Sequence, residues 1–300
     1  MSLMAVMFDL AALSAPPALQ QSPEFARALE AFSTPPRHLP DGTLVLERRF
    51  AGLPVRMIAR PRAQTPMEMR DLLRDLPGAA PVVLAPDRPM DLYRIGAFPV
   101  VSPTSVATLD LAPPLDTLES GLHQKWRNRL RHAETQRLKV TRQNMPLDAG
   151  HWLFQEDYLQ QKERGYRTWP VPLTLAYAAT NPGQAKLFTA FMGRTPVAAA
   201  LVLRHGAAAT YHIGHSRAAG RVFSAHNLLI WAAITWAKSK SLQSFELGSL
   251  DTEDSPGLAR FKLGTGAVAR ALGGTWLRWP PIAPLARPLA RLDRALMRLA

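Results

Sequence analysis

Residues 186–222 read KLFTAFMGRTPVAAALVLRHGAAATYHIGHSRAAGRV, and this stretch decides the fold. Three apolar-rich runs, Lys186–Met192, Pro196–Leu203 and Ala208–His215, are separated only by Gly193-Arg194 and His205-Gly206. Connections that short turn each run back along its predecessor, so the three pair antiparallel. The glycine-containing bend Arg217–Val222 then leads into a helix expected over Ser224–Ser239.

Working outward, Ser244–Leu247 reads as a strand, Pro256–Leu263 as a helical turn, and a last strand ends near Leu277. Upstream lie a strand at Leu138–Gln143, a helix at Asp148–Arg164 and a shorter helix at Pro172–Thr180. The order is β-α-α-β-β-β-α-β-α-β. Before it, Leu118, Leu122, Trp126, Leu130 and Ala133 recur every three or four residues, which predicts one long helix over Leu115–Gln136 bridging two halves. The first half reads as mixed α and β. Ser22 and Pro23 start a helix to about Phe32, and Leu44–Arg48 and Val55–Ala59 form a hairpin around Ala51–Pro54. A helix near Pro66–Asp75 and strands at Val82–Leu84 and Val106–Leu111 complete it.

Three hundred residues, 47% of them apolar, suit two domains with sizeable cores. The chain has no cysteine, which excludes disulfides, a thiol nucleophile and cysteine-ligated metals. No histidine pair has zinc-site spacing, so no metal is expected. G-x-S-x-G is absent, which argues against a hydrolase elbow. No apolar run approaches about 20 residues, and the first twelve do not read as a signal peptide, so a cytoplasmic protein is expected. The net charge is +13, with only seven lysines among 36 basic residues. That excess is either a solvated basic surface or a sign of a polyanionic partner such as CoA phosphates, tRNA or an anionic membrane.

The element order resembles that of GNAT acyltransferases, and three segments are similar to the Fem-type branch. They are Lys125-Trp126-Arg127-Asn128-Arg129-Leu130-Arg131-His132-Ala133-Glu134, Phe245-Glu246-Leu247-Gly248, and Gly257-Leu258-Ala259-Arg260-Phe261-Lys262-Leu263-Gly264. The resemblance implies an α+β fold of two tandem GNAT-like units, each a mixed, mostly antiparallel sheet flanked by helices. It places a degenerate unit at 1–136, ending in the basic helix, and an active unit at 137–279, while residues 280–300 read by their own pattern as a basic amphipathic tail. It further implies transfer of an acyl group without fixing the donor; the leading expectation is acyl-CoA, such as acetyl-CoA, as donor and an amine or hydroxyl on a small-molecule or envelope-precursor acceptor. Some relatives take an aminoacyl group from tRNA instead, and a non-catalytic interaction protein is the third reading. The chain has no room for the helical-hairpin arm of some tRNA-dependent members, which favours acyl-CoA.

Within that frame Arg217 and Gly220 match the pyrophosphate-binding loop of GNAT enzymes, with Arg221 beside them, whereas Val222 replaces a small residue. An ordinary turn is the plainer account of Gly220. Ser224 is either a helix N-cap or a donor contact, and His226 and Asn227 could present polar groups to a ligand. The resemblance puts Lys262 beside the reacting carbonyl, where an ammonium stabilises an oxyanion. An exposed surface lysine is the alternative. His215 and Glu246 are the candidate bases, against structural roles for each, and Asp251 follows in the next loop. Arg127, Arg129 and Arg131 offer either a phosphate-reading groove or a solvated flank. In the tail Leu289, Leu292, Leu296 and Leu299 form a stripe edged by arginines, fit to dock on the protein or to lie on an anionic membrane.

Overall fold

Local signals start most elements. In the computed structural model, which describes residues 16–33, 35–286 and 288–291, Ser22 Oγ accepts from the Phe25 amide and opens helix α1 (Pro23–Phe32). A short β1 (Arg37–His38) precedes the hairpin of β2 (Leu44–Phe50) and β3 (Leu53–Ala59). Ala51 and Gly52 at its tip both have left-handed backbone, φ 48° and 81°, as a two-residue hairpin loop requires. Helix α2 (Pro66–Arg74), β4 (Val82–Ala85), β5 (Ala97–Val101) and β6 (Ser105–Asp110) follow. Strands β1 and β5 carry too little alternation to be read from sequence.

The long helix expected over 115–136 is instead two, α3 (Leu115–Ser120) and α4 (Gln124–Thr135). Gly121 ends the first, and the His123 amide donates to Gly264 O at 3.0 Å rather than continuing the helix. His123 Nδ1 then accepts from the Lys125 amide and caps the second. The apolar stripe survives the break, with Leu118, Leu122, Trp126, Leu130 and Ala133 all buried.

Next come β7 (Leu138–Asn144), α5 (Trp152–Arg164), α6 (Val171–Thr180), β8 (Ala185–Met192), β9 (Thr195–His205), β10 (Ala208–Ser216), α7 (Ala218–Val222), α8 (Ala225–Ser239), β11 (Ser244–Leu250), α9 (Pro256–Leu263), β12 (Val268–Ala271) and β13 (Thr275–Arg278). Helix α5 starts later than expected because Asp148 Oδ1 accepts the Gly150 amide and closes a turn ahead of it.

The strands form two mixed sheets, ordered β1-β2-β3-β4-β13-β5 and β7-β8-β9-β10-β11-β6-β12. Each has a single parallel pair among otherwise antiparallel neighbours, β3 with β4 and β10 with β11. In both, the strand beyond that pair comes from the other half of the chain. β13 enters the first sheet between β4 and β5, while β6 enters the second between β11 and β12. The sheets therefore do not divide the chain at residue 136, as the sequence reading expected, but exchange a strand across it.

Helices flank both sheets. One core packs α3, α4 and α8 on a face of the second sheet through Trp126, Leu130, Leu229, Ile230 and Phe245. The opposite face carries α5 and α6, joined by Phe25 and Leu29 of α1. A third core holds α2 against the first sheet around Ile58, Met69 and Leu84. Of the tail's leucine stripe only Leu289 is among the described residues; Leu292, Leu296 and Leu299 lie outside them. Among the described residues no helix is long and apolar enough to cross a membrane.

Candidate active site

The two parallel pairs differ at one point. In the first sheet β3 and β4 stay in register to their last residues, Ala59 opposite Ala85, and the Arg60 amide adds a further bond to Ala85 O. In the second sheet β10 and β11 pair only at Ala208–Ser244, Ala209–Phe245 and Thr210–Glu246, although both strands continue. Bulges part them. β10 carries an extra residue at His212 relative to β9, and β11 one at Leu247 relative to β6. A bulge bends its strand and sharpens its twist. Gly248, at φ 85°, supplies the left-handed backbone that the second bulge needs. Among the described residues, no strand lies beside the β10 edge that would have faced β11 beyond Thr210.

A cavity of about 1170 Å³ opens over this gap, walled by α4, α5, the 165–168 loop, β10, α7, α8, β11 and α9. Lys262 on α9 is only 6% exposed, so the surface-lysine alternative does not hold. Its Nζ donates to Ser249 O at 2.7 Å, just past the β11 bulge. Burial lowers its pKa to about 8, partly opposed by the Glu246 charge. His215, at the far end of β10, lines the same cavity, with Nε2 3.6 Å from Glu156 Oε2. Burial lowers its pKa, against Glu156 and together with Arg221, Arg217 and Arg164. His215 is therefore a neutral imidazole at pH 7.

Glu246 does not reach the cavity. Both its oxygens accept from the Arg60 guanidinium, at 2.8 and 2.6 Å, and Arg270 stands 3.6 Å away. Burial alone would raise its pKa, but the Arg60 hydrogen bonds and the two cations leave it lowered. It is a structural ion-pair partner between the sheets, not a base. Arg217 is also turned away. Its guanidinium bonds Glu156 and Pro196 O and stacks over Trp152 at 4.7 Å. Gly220, in contrast, is fixed by its surroundings, since a Cβ there would lie 2.3 Å from Val197 O. Arg221 lines the cavity and donates to Ser216 O. Val222 ends α7 largely exposed, so it does not crowd the bend.

Ser224 precedes α8 with φ 53° and makes no side-chain cap bond, so the expected N-cap is replaced by a left-handed residue in the cavity wall. A non-glycine residue held there is strained, and strain of that kind gathers at functional sites. His226 and Asn227 both line the cavity. His226 Nε2 lies 2.8 Å from Tyr211 Oη, and burial lowers the imidazole pKa to about 4. Of the basic helix only Arg129 reaches the cavity. Arg127 donates to Ser120 O and Leu122 O, which ties α4 to α3, and Arg131 is exposed. Asp251 is a lining residue whose Oδ1 closes a turn by accepting from the Glu253 and Asp254 amides.

Among the cavity residues that sequence reasoning did not single out, Tyr211 and Asp157 stand out. Tyr211 sits at the β10 bulge with its ring over Gly214, where a Cβ would meet Tyr211 Oη; burial raises its pKa further. Nothing in a strand of mixed polarity marks it. Asp157 is 5% exposed. It shares the buried side of α5 with Leu153 and Phe154, and an acid in an apolar stripe was a usable signal.

With this geometry in view, the class follows. Residues 121–263 match the Acetyltransferase (GNAT) domain family. Over nearly its whole length the chain shares the fold of a Fem protein. It is similar to the crystal structure of FemX, with a TM-score of 0.71 over 97% of this chain and 98% of that one at 13% identity. The C-terminal domain of a putative lysylphosphatidylglycerol synthetase from Agrobacterium fabrum superposes at 0.58, covering 91% and 93% at 14% identity. L-PGS from Bacillus licheniformis does so at 0.52, covering 93% and 98% at 13% identity. No curated protein matches the sequence.

Proposed function

We propose that the second unit transfers an acyl group from the thioester of acyl-CoA to an amine or hydroxyl, and that the first is a degenerate partner without a site of its own. One observation carries the reading: β10 and β11 separate after three residue pairs, and the gap opens into a cavity that holds Lys262 and His215. An exposed strand edge is a template for an extended chain that carries amides. A pantetheine arm is such a chain, and residues 211–216 give it an edge to run along. Gly220 fits a phosphate-holding bend, because only glycine allows its approach to Val197 O. Arg221 supplies a cation at the cavity wall beside it.

The reaction needs no covalent enzyme intermediate. The acceptor amine attacks the thioester carbon to form the new C–N bond, and the C–S bond breaks as the resulting tetrahedral stage collapses. His215, neutral at working pH, takes the proton that the nitrogen loses, directly or through a water. The carbonyl oxygen, negative at the tetrahedral stage, is met by the Lys262 ammonium. The thiolate leaves and is protonated from solvent. In the first unit β3 and β4 stay paired, which supports the degenerate assignment.

Isothermal titration with acetyl-CoA, followed by acetyl transfer to an amine panel, tests the proposal. Saturable binding and amine-dependent thiol release are expected. No binding at millimolar acetyl-CoA, with salt-sensitive binding of charged tRNA instead, contradicts it. The second outcome is a real competitor because Arg217, the loop arginine, is committed to Glu156. In that reading the same Lys262 would face an ester carbonyl.

A further inference from the structure

Asp157 is a carboxylate 5% exposed in the wall of the cavity, and every bond it makes is with a neutral donor. Oδ2 accepts from Gln161 Nε2 at 2.7 Å and from Thr168 Oγ1 at 3.3 Å. Oδ1 accepts from Tyr166 Oη at 3.3 Å. Among the described residues Asp157 forms no ion pair. The surrounding network is built to hold it. Gly165, left-handed at φ 68°, ends α5 and turns the chain back so that Tyr166 and Thr168 reach the helix they have just left. Gln160 in turn donates to Tyr166 Oη at 2.7 Å, and Gln161 Oε1 accepts the Thr168 amide. Tyr211 of β10 lines the same cavity, so the carboxylate borders the space over the strand edge where the proposed reaction occurs.

A buried carboxylate with neutral partners alone is costly, and such charges are normally paired. Arg129, Arg164 and Arg167 line the same cavity without pairing with it. We infer that Asp157 is the recognition site for a primary ammonium group on a substrate. The inference rests on the proposed acyl transfer and narrows its substrate class. The ammonium belongs either to the acceptor, as the cationic form or a second amine of the attacking molecule, or to an aminoacyl donor. Tyr166 and Thr168 orient the carboxylate as positioning residues.

Ligand-observed NMR titration of the full chain separates these cases with two pairs of probes. n-Butylamine against n-butanol stands for the acceptor, and alanine methyl ester against methyl lactate for the aminoacyl donor. The wild-type protein is expected to prefer at least one cation over its neutral counterpart. Asp157→Asn, which keeps the size and removes the charge, should weaken that cation by roughly tenfold to a hundredfold and leave the neutral probe unchanged. Asp157→Glu should keep the preference. Which pair shows the effect assigns the source. The inference is overturned if neither cation is preferred by the wild-type protein, a readout that needs no variant to fold, or if Asp157→Asn binds the preferred cation as the wild type does. Thiol release from acetyl-CoA reads the transfer itself and ammonium binding needs no turnover, so the two proposals can fail separately.

Discussion

In the proposed reaction Lys262 is the side chain on which the chemistry turns. Its Nζ is fixed to Ser249 O, so the ammonium has a defined position before any substrate arrives. Lys262→Met should lower kcat by roughly 10²–10³-fold, the scale of one lost oxyanion donor, with little change in KM. The charged form is the useful one, and burial sets its pKa at about 8. Activity should thus fall as pH rises through about 8, and a pH–rate profile checks this limb. Glu246 supports the charge, so Glu246→Gln should move the same limb to lower pH. Gly220→Ala forces a Cβ against Val197 O, and a loss of acetyl-CoA affinity by titration, greater than any loss of transfer from pre-bound donor, is expected. The sequence carried Lys262 and Gly220 through local motifs. It could not show that Arg217 and Glu246 turn away, because their partners Glu156 and Arg60 are 61 and 186 residues distant.

Strand β11 joins the two sheets at the level of single elements. Its N-terminal half pairs with β10, its bulge frees the cleft, and Glu246 between them is clamped by Arg60 from the end of β3. Arg60 also reaches Asp87, which Arg270 of β12 contacts at 3.0 Å. Removing one member of a buried pair leaves the other uncompensated, so Arg60→Ala should cost about 3–5 kcal/mol in denaturant unfolding. The pH dependence follows from the sign of the shift. The folded-state pKa of Glu246 is depressed, so its contribution is present above the unfolded value of 4.5 and is lost as pH falls through the folded one. Acid unfolding of Arg60→Ala should lack that component. Elements with periodic patterns, such as α8 and β8–β10, were legible in the sequence. The break between α3 and α4 was not, since it depends on a bond from His123 to Gly264 and the apolar stripe runs through it unchanged.

The exchanged strands govern the molecule as a whole. Residues 1–136 lack β13, which separates β4 from β5, and residues 137–300 lack β6, which separates β11 from β12. Each fragment then exposes unpaired edges in the middle of a sheet. Neither fragment should fold alone by circular dichroism and gel filtration, whereas the two co-expressed should recover a folded complex. Two independent folded halves would contradict the topology. The tandem arrangement was expected from the family resemblance, but the exchange was invisible, because β6 and β13 read as ordinary short strands and nothing local says which sheet receives them.

The account depends on the β10 edge beyond Thr210 being where the acyl donor lies. Amide hydrogen exchange of residues 211–222, with and without millimolar acetyl-CoA, tests this most directly. Slowed exchange confined to β10 past its bulge and to the Arg217–Val222 bend is the predicted result, and exchange there that acetyl-CoA leaves unchanged would contradict it.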